Sequence, residues 1–262
     1  MGDIQMEQIY EKLRAKDPHT VLETLFELNR KVPDLDSTLR RQLASAVSAL
    51  FYVDTVDTPE FTPVIDVAVK TVAAMGPDLI PHHLLEMRGT DFKALFCFSR
   101  VLSALGPQAI DPILECCERT QETHLLVGAI YALSKIRDAS VAKGFPLVVR
   151  LCGSPEKEVR DTAVRALGKL IEYLPPSSFS PADRERALDM LMAATRDPNP
   201  GIRAKGVRGL GKMAGQGLLG PERSHIAKER IRQILGKQRA YSWDTAFIVR
   251  QEAEEALEHF MD

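Results

Sequence analysis

Four cysteines in 262 residues, at positions 97, 116, 117 and 152, are too few and too irregularly spaced for a disulfide framework. No CxxC pair has a matching partner for zinc, and each thiol lies in an apolar helical context, where buried, inert thiols are expected. No apolar run approaches the roughly 20 residues that cross a bilayer. The opening Met1-Gly-Asp-Ile-Gln-Met-Glu lacks the basic start and apolar block of a signal peptide, and Met6 stands where a myristoylation motif wants Ser or Thr. A cytoplasmic protein is expected. No segment sustains period-two alternation with β-branched residues, so no strands are placed. Histidines and carboxylates do not converge: no His is followed by Glu, and His82-His83 has no spaced acid or Cys partner. With no catalytic or metal-ligating pattern, a non-enzymatic protein without metal or other cofactor is expected.

What is present is repetition. Ser154-Pro-Glu-Lys-Glu-Val-Arg-Asp-Thr-Ala-Val-Arg-Ala-Leu-Gly-Lys-Leu170 recurs as Asp197-Pro-Asn-Pro-Gly-Ile-Arg-Ala-Lys-Gly-Val-Arg-Gly-Leu-Gly-Lys-Met213. Val159-Arg160 matches Ile202-Arg203, Ala163 matches Gly206, and Leu167-Gly168-Lys169 matches Leu210-Gly211-Lys212. A third copy keeps the interval from Asp244 to Arg250 that separates Asp197 from Arg203, followed by Ala253, Ala256 and Leu257. A further match pairs Met75-Gly-Pro with Leu105-Gly-Pro. Self-similarity at such periods marks stacked helical units that bury a core only by packing on one another.

Helical periodicity runs from end to end and gives fourteen helices, at about 4–15, 18–32, 36–53, 59–75, 77–87, 90–105, 107–119, 121–136, 138–152, 155–173, 181–195, 199–214, 222–237 and 244–261. Proline after Asp, Ser, Thr or Gly punctuates them at Pro18, Pro59, Pro77, Pro107, Pro155, Pro181, Pro198 and Pro221. There the missing N–H costs nothing, and a preceding Asp, Ser or Thr can cap the helix. Short connections make successive helices antiparallel hairpins.

The units at 154–170 and 197–213 resemble HEAT repeats, particularly the short HEAT-like kind also found in phycobilin lyase subunits. The resemblance is strongest over 139–262. It implies an all-α fold, a right-handed α-solenoid of about seven HEAT-like antiparallel helix pairs spanning 1–262 as a single domain. Residues 1–74 would form divergent N-terminal hairpins and 75–262 recognisable repeats. In that family an Asp and an Arg six positions apart join neighbouring repeats as a ladder. Arg160, Asp197, Arg203, Asp244 and Arg250 are its expected members here, and Ser154 departs from the pattern at the acid.

The resemblance also places the second helix of each pair on the inner wall. There, Gly128-Tyr131-Lys135, Thr162-Arg165-Lys169, Lys205-Arg208-Lys212 and Glu252-Glu255-His259 share one stripe. Net charge is −2, yet residues 196–250 hold twelve Lys/Arg against four Asp/Glu, whereas 1–60 hold seven against eleven. A scaffold or adaptor is therefore expected, with Tyr131, Arg165, Lys169, Lys205, Arg208 and Lys212 contacting an acidic surface or segment of another protein. Two other functions fit the fold: a nucleic-acid-binding HEAT-like protein, or a cofactor (bilin-type) lyase or chaperone subunit. Against nucleic acid stand a pI near 6.3 and the few aromatics, Tyr241, Trp243 and Phe247, beside the basic block. Gly209-Leu-Gly211-Lys212 is no phosphate loop, because no strand precedes it. Its glycines are expected to serve close helix packing.

Overall fold

The computed structural model describes residues 3–237 and 243–260. Tyr241 and the first two and last two residues lie outside them. Among the described residues there are fourteen α-helices and no strand. They are α1 (Asp3–Leu13), α2 (Pro18–Lys31), α3 (Ser37–Ser48), α4 (Thr62–Ala74), α5 (Ile80–Glu86), α6 (Phe92–Ala104), α7 (Ile110–Arg119), α8 (Thr123–Leu133), α9 (Phe145–Leu151), α10 (Lys157–Tyr173), α11 (Pro181–Ala194), α12 (Pro200–Gly215), α13 (Pro221–Ile234) and α14 (Phe247–Leu257). Each answers one of the fourteen expected segments. The main differences are two 3-10 stretches, Ala49–Tyr52 closing α3 and Ala139–Gly144 opening α9. Pro146 falls within the first turn of α9, where its missing N–H removes no helical bond.

Prolines and caps set the boundaries. Asp17 accepts from the N–H groups of His19 and Thr20 ahead of Pro18, and Ser180 and Asp183 form a reciprocal capping box around Pro181. Gly76 and Gly106 carry φ of 111° and 65°, a left-handed turn that a side chain would strain. Each is followed by a proline at the start of a 3-10 turn, Pro77–Leu79 and Gly106–Ala109, which is why Met75-Gly-Pro and Leu105-Gly-Pro repeat. Asp197-Pro198 and Ser154-Pro155 behave otherwise. The helices begin two residues later, with Asn199 and Glu156 at the N-cap positions, and Asp197 is left for another task.

The chain divides into two compact units, residues 1–120 and 121–262. In the first, α2, α4 and α6 pack side by side as one layer, while α1 lies against α3 and α5 against α7. Its core is apolar and aromatic: Phe51 meets Phe98 edge-on at 5.1 Å, and the His83 ring lies 6.2 Å from that of Phe98. His83 is 1% exposed, and neither ring nitrogen has a hydrogen-bond partner. Burial, with the neighbouring His82 adding to it, pushes its pKa down to about 4. In the second unit α8, α10, α12 and α14 form the corresponding layer, with α9, α11 and α13 behind them. Glycines let this layer close up. A methyl added at Gly206 would stand 2.9 Å from the Ala194 methyl and 3.0 Å from the Thr195 nitrogen, and one at Gly211 would stand 2.9 Å from both Cα and Cβ of Ala256.

Two outcomes follow from this packing. Gly206→Ala and Gly211→Ala should each lower the melting temperature by several degrees, although alanine is the better helix former by about 1 kcal/mol. Gly215→Ala, whose methyl meets only the His259 side chain at 3.4 Å, should not lower it. For His83, the unfolded chain binds a proton near pH 6.5 and the folded chain only near pH 4. Its neutral, buried state therefore favours folding in full above about pH 6.5, and that advantage is lost progressively as pH falls toward 4, roughly 3 kcal/mol in all. Urea denaturation of wild type and His83→Phe at pH 7 and pH 4.5 should show a smaller acid loss in the variant.

Candidate functional site

The layer of α8, α10, α12 and α14 is tied together at one edge by two arginines. Arg160, one residue past the buried Val159, donates from Nη1 to the carbonyls of Ser154 (2.8 Å) and Pro155 (3.2 Å) in its own repeat. Its Nε reaches Asp197 Oδ2 of the next repeat at 2.5 Å. Arg203 repeats the pattern, with Nη1 to the carbonyls of Asp197 (2.9 Å) and Pro198 (3.1 Å), and Nε and Nη2 to Asp244 at 2.6 and 2.9 Å. The acids hold their own turns as well: Asp197 Oδ1 accepts from Asn199 N–H and Asp244 Oδ1 from Ala246 N–H, both i to i+2. Ser154 supplies the same turn through its hydroxyl, which accepts from Glu156 N–H. Serine at 154 thus costs Arg160 nothing, because Arg160 meets that turn through the Ser154 and Pro155 carbonyls and takes its acid from Asp197. The missing carboxylate would have faced α8, where Leu126 occupies the aligned position. Arg250 bonds the Asp244 carbonyl at 2.6 Å, and its guanidinium stacks 4.6 Å over the Trp243 ring.

Burial raises the pKa of Asp244, but the hydrogen bonds from Arg203 and Ala246 N–H and the nearby arginine charges outweigh it, holding the acid below its ordinary range. Arg203 is correspondingly raised, first by the hydrogen bond to Asp244.

The expected stripe lies on the layer's solvent side, where most of its cations meet acids on neighbouring helices. Lys205 of α12 pairs with Asp161 of α10. Arg208 pairs with Glu252 of α14, Nε to Oε2 at 2.7 Å, and Glu252 is only 4% exposed. Lys212 and Lys169 share one carboxylate, Glu172, at 2.5 and 3.0 Å. Those two lysines hold Glu172 down to about 2. At Lys212 burial outweighs the pairing, so its amine sits below its ordinary value. Arg165 is exposed and has no ion pair among the described residues. Tyr131 is half-buried on α8 with Lys135 Nζ 5.3 Å from its ring centre, and nearby Arg137 stacks 5.0 Å over Tyr173. Five stripe cations on α10 and α12 therefore meet three carboxylates, leaving the surplus at Arg165 and at the Lys169–Lys212 pair.

The acids Asp161 and Glu172 were not singled out from sequence. The pairs Asp161–Lys205 and Arg208–Glu252 are both 44 residues apart, one more than the 43-residue repeat, whereas Lys212–Glu172 spans 40. Among the described residues no group of three or more His, Cys, Asp or Glu is arranged to hold a metal ion.

Residues 145–174, covering α9 and α10, match the family model of the HEAT repeat. The chain carries a HEAT repeat. No curated protein matches the sequence. Solved structures of the same fold include an engineered protein, 19% identical with TM-score 0.51, covering 99% of this chain and 97% of that one. The complex of CpcE and CpcF of phycocyanin lyase from a Nostoc species gives 19% identity and TM-score 0.55 over 69% of this chain and 99% of that one. A chain of the Kap95p–RanGDP complex gives 14% identity and TM-score 0.61 over 97% of this chain but only 35% of that one. At these identities the likeness is one of fold, that of the HEAT and armadillo solenoids.

The HEAT-type rung gives a sharp test. Arg203→Gln should cost about 2–3 kcal/mol, because it strands the largely buried Asp244 and two turn carbonyls. The contribution of Asp244 is complete above its ordinary carboxylate range and is lost as pH falls through its depressed folded value. Wild type should therefore shed more stability than Asp244→Asn between pH 5 and pH 2, read from urea midpoints.

Proposed function

We propose that this protein is a non-catalytic scaffold or adaptor that holds an acidic segment of another protein on the exposed face of α8, α10 and α12. The observation that carries the reading is the cation surplus. Arg165 is exposed without an acid among the described residues, and Lys169 and Lys212 divide one carboxylate. A partner carboxylate reaching this face would meet donors that the fold has left partly unspent, and Tyr131 would supply an apolar anchor beside them. Lys205 and Arg208 enter as a fixed frame for that contact, each already paired across helices. Repeat layers of this fold offer extended surfaces to partners, and the Kap95p–RanGDP complex is a case of a protein held by such a chain.

The reading is tested by a nuclease-treated pull-down from the source organism with wild type, Arg165→Glu/Lys169→Glu and Glu254→Lys. A protein retained by wild type and by the Glu254 variant, and bound at least tenfold more weakly by the double variant at unchanged melting temperature, is the expected result. Equal retention by all three would sink the assignment of this face.

A further inference from the structure

A broad concavity of the first unit lies between α1, α3 and the turn at Pro59–Phe61, far in sequence from the stripe. It has a volume of about 830 Å³, within the range of sites that take small organic ligands. Its walls are chiefly apolar: Leu13 of α1, Ala46 of α3, Ala49, Leu50 and Val53 beyond it, and Phe61 from the following turn. Packed interiors leave few voids larger than a water molecule, so this is a trough rather than a packing flaw. A second hollow of about 620 Å³ shares Tyr10, Gln42 and Ser45 with it and continues to Met6, Arg41 and His82. From Met6 to Leu13 the helical rise of α1 gives a run of about 10 Å, which the following turn carries on to Lys16.

Charge is concentrated at the ends of this run. Arg14 and Lys16 line one end and Arg41 the other. All three are exposed, and none forms an ion pair or a side-chain hydrogen bond among the described residues. One acid, Glu60, lines the trough as well. Among the described residues these cations have no acid partner, in a unit whose first 60 residues hold eleven Asp/Glu against seven Lys/Arg. An elongated apolar trough with unpaired cations at its mouth is complementary to a molecule with an apolar body and an anionic end.

We infer that the trough between α1 and α3 binds a free long-chain carboxylate, its chain along Leu13, Ala46 and Leu50 and its carboxylate at Arg14 and Lys16. The ligand lies in the first unit and is independent of the partner face proposed above. The test uses the full chain with cis-parinaric acid as a fluorescent long-chain carboxylate, displaced by oleate or by oleyl alcohol. Saturable binding is expected, with oleate displacing at least tenfold more effectively than the alcohol. Ala46→Phe/Ala49→Phe, which fills the trough, should weaken both at least tenfold. Arg14→Glu/Lys16→Glu, a surface change that leaves folding intact, should weaken oleate tenfold and leave the alcohol unchanged. Absence of saturable binding by wild type overturns the inference. So does oleate affinity indifferent to both variants, or association only with oleate-containing vesicles.

Discussion

One guanidinium bound at once to its own turn and to the next repeat is the constraint on which the second unit rests. Arg160 and Arg203 close the carbonyls of the loop that precedes their helix and reach across to a carboxylate that is itself tied to its own backbone. Three separate chain segments are thereby fixed relative to one another by a single side chain. A lysine has one ammonium and no planar fork, and could not hold both directions together. With the turns pinned, the following helices come side by side in fixed register, and only then do the glycines of α12 matter. Gly206 accommodates α11, and Gly211 accommodates α14.

The same register decides the electrostatics of the exposed face. Because α10, α12 and α14 are held with matching turns level, an acid on one helix stands beside a base on the next, and Asp161, Glu172 and Glu252 cancel most of the positive stripe. Exposed pairs of this kind add little stability singly, but the burial of Glu252 makes its arginine obligatory. The first unit follows a different plan. Its layer is joined by apolar and aromatic packing around Phe51, Phe98 and the unpartnered His83, with arginine again used against a turn carbonyl, Arg40 to Met75 at 2.8 Å. Arg230 does likewise at Thr195 in the second unit. Arginine clamping a turn thus recurs in both units, and Arg40 also meets a carboxylate, Asp78, at 3.2 Å; what sets the second unit apart is the regular recurrence of the rung from Arg160 to Arg203.

The fold was readable because its signals are local and periodic. Prolines, capping Asp and Ser residues and the 43-residue recurrence are one-dimensional marks, and each expected helix has its counterpart. Three kinds of feature were out of reach. The helix after Pro198 starts later than expected because Asp197, a plausible cap from its neighbours alone, is drawn toward Arg160 of the preceding repeat, while Ser154 ahead of Pro155 closes its own turn onto the Glu156 N–H. The charge partners of Lys205 and Arg208 depended on a one-residue stagger between adjacent helices, and that of Lys212 on a different offset, neither of which the repeat period states. The trough beside α1 was invisible for a simpler reason: a hollow is defined by side chains that fail to meet, and sequence records only those that are present.

The stacking of Arg250 on Trp243 has a practical side. This is the chain's one tryptophan, and it stands beside the last rung of the second unit with a cation 4.6 Å above its ring. Intrinsic indole emission is therefore a local gauge of that terminal turn, blind to events around Phe51 and His83. Far-ultraviolet dichroism, by contrast, weighs all fourteen helices together. A mismatch between the two signals during melting would reveal in what order the two units come apart, with no label introduced.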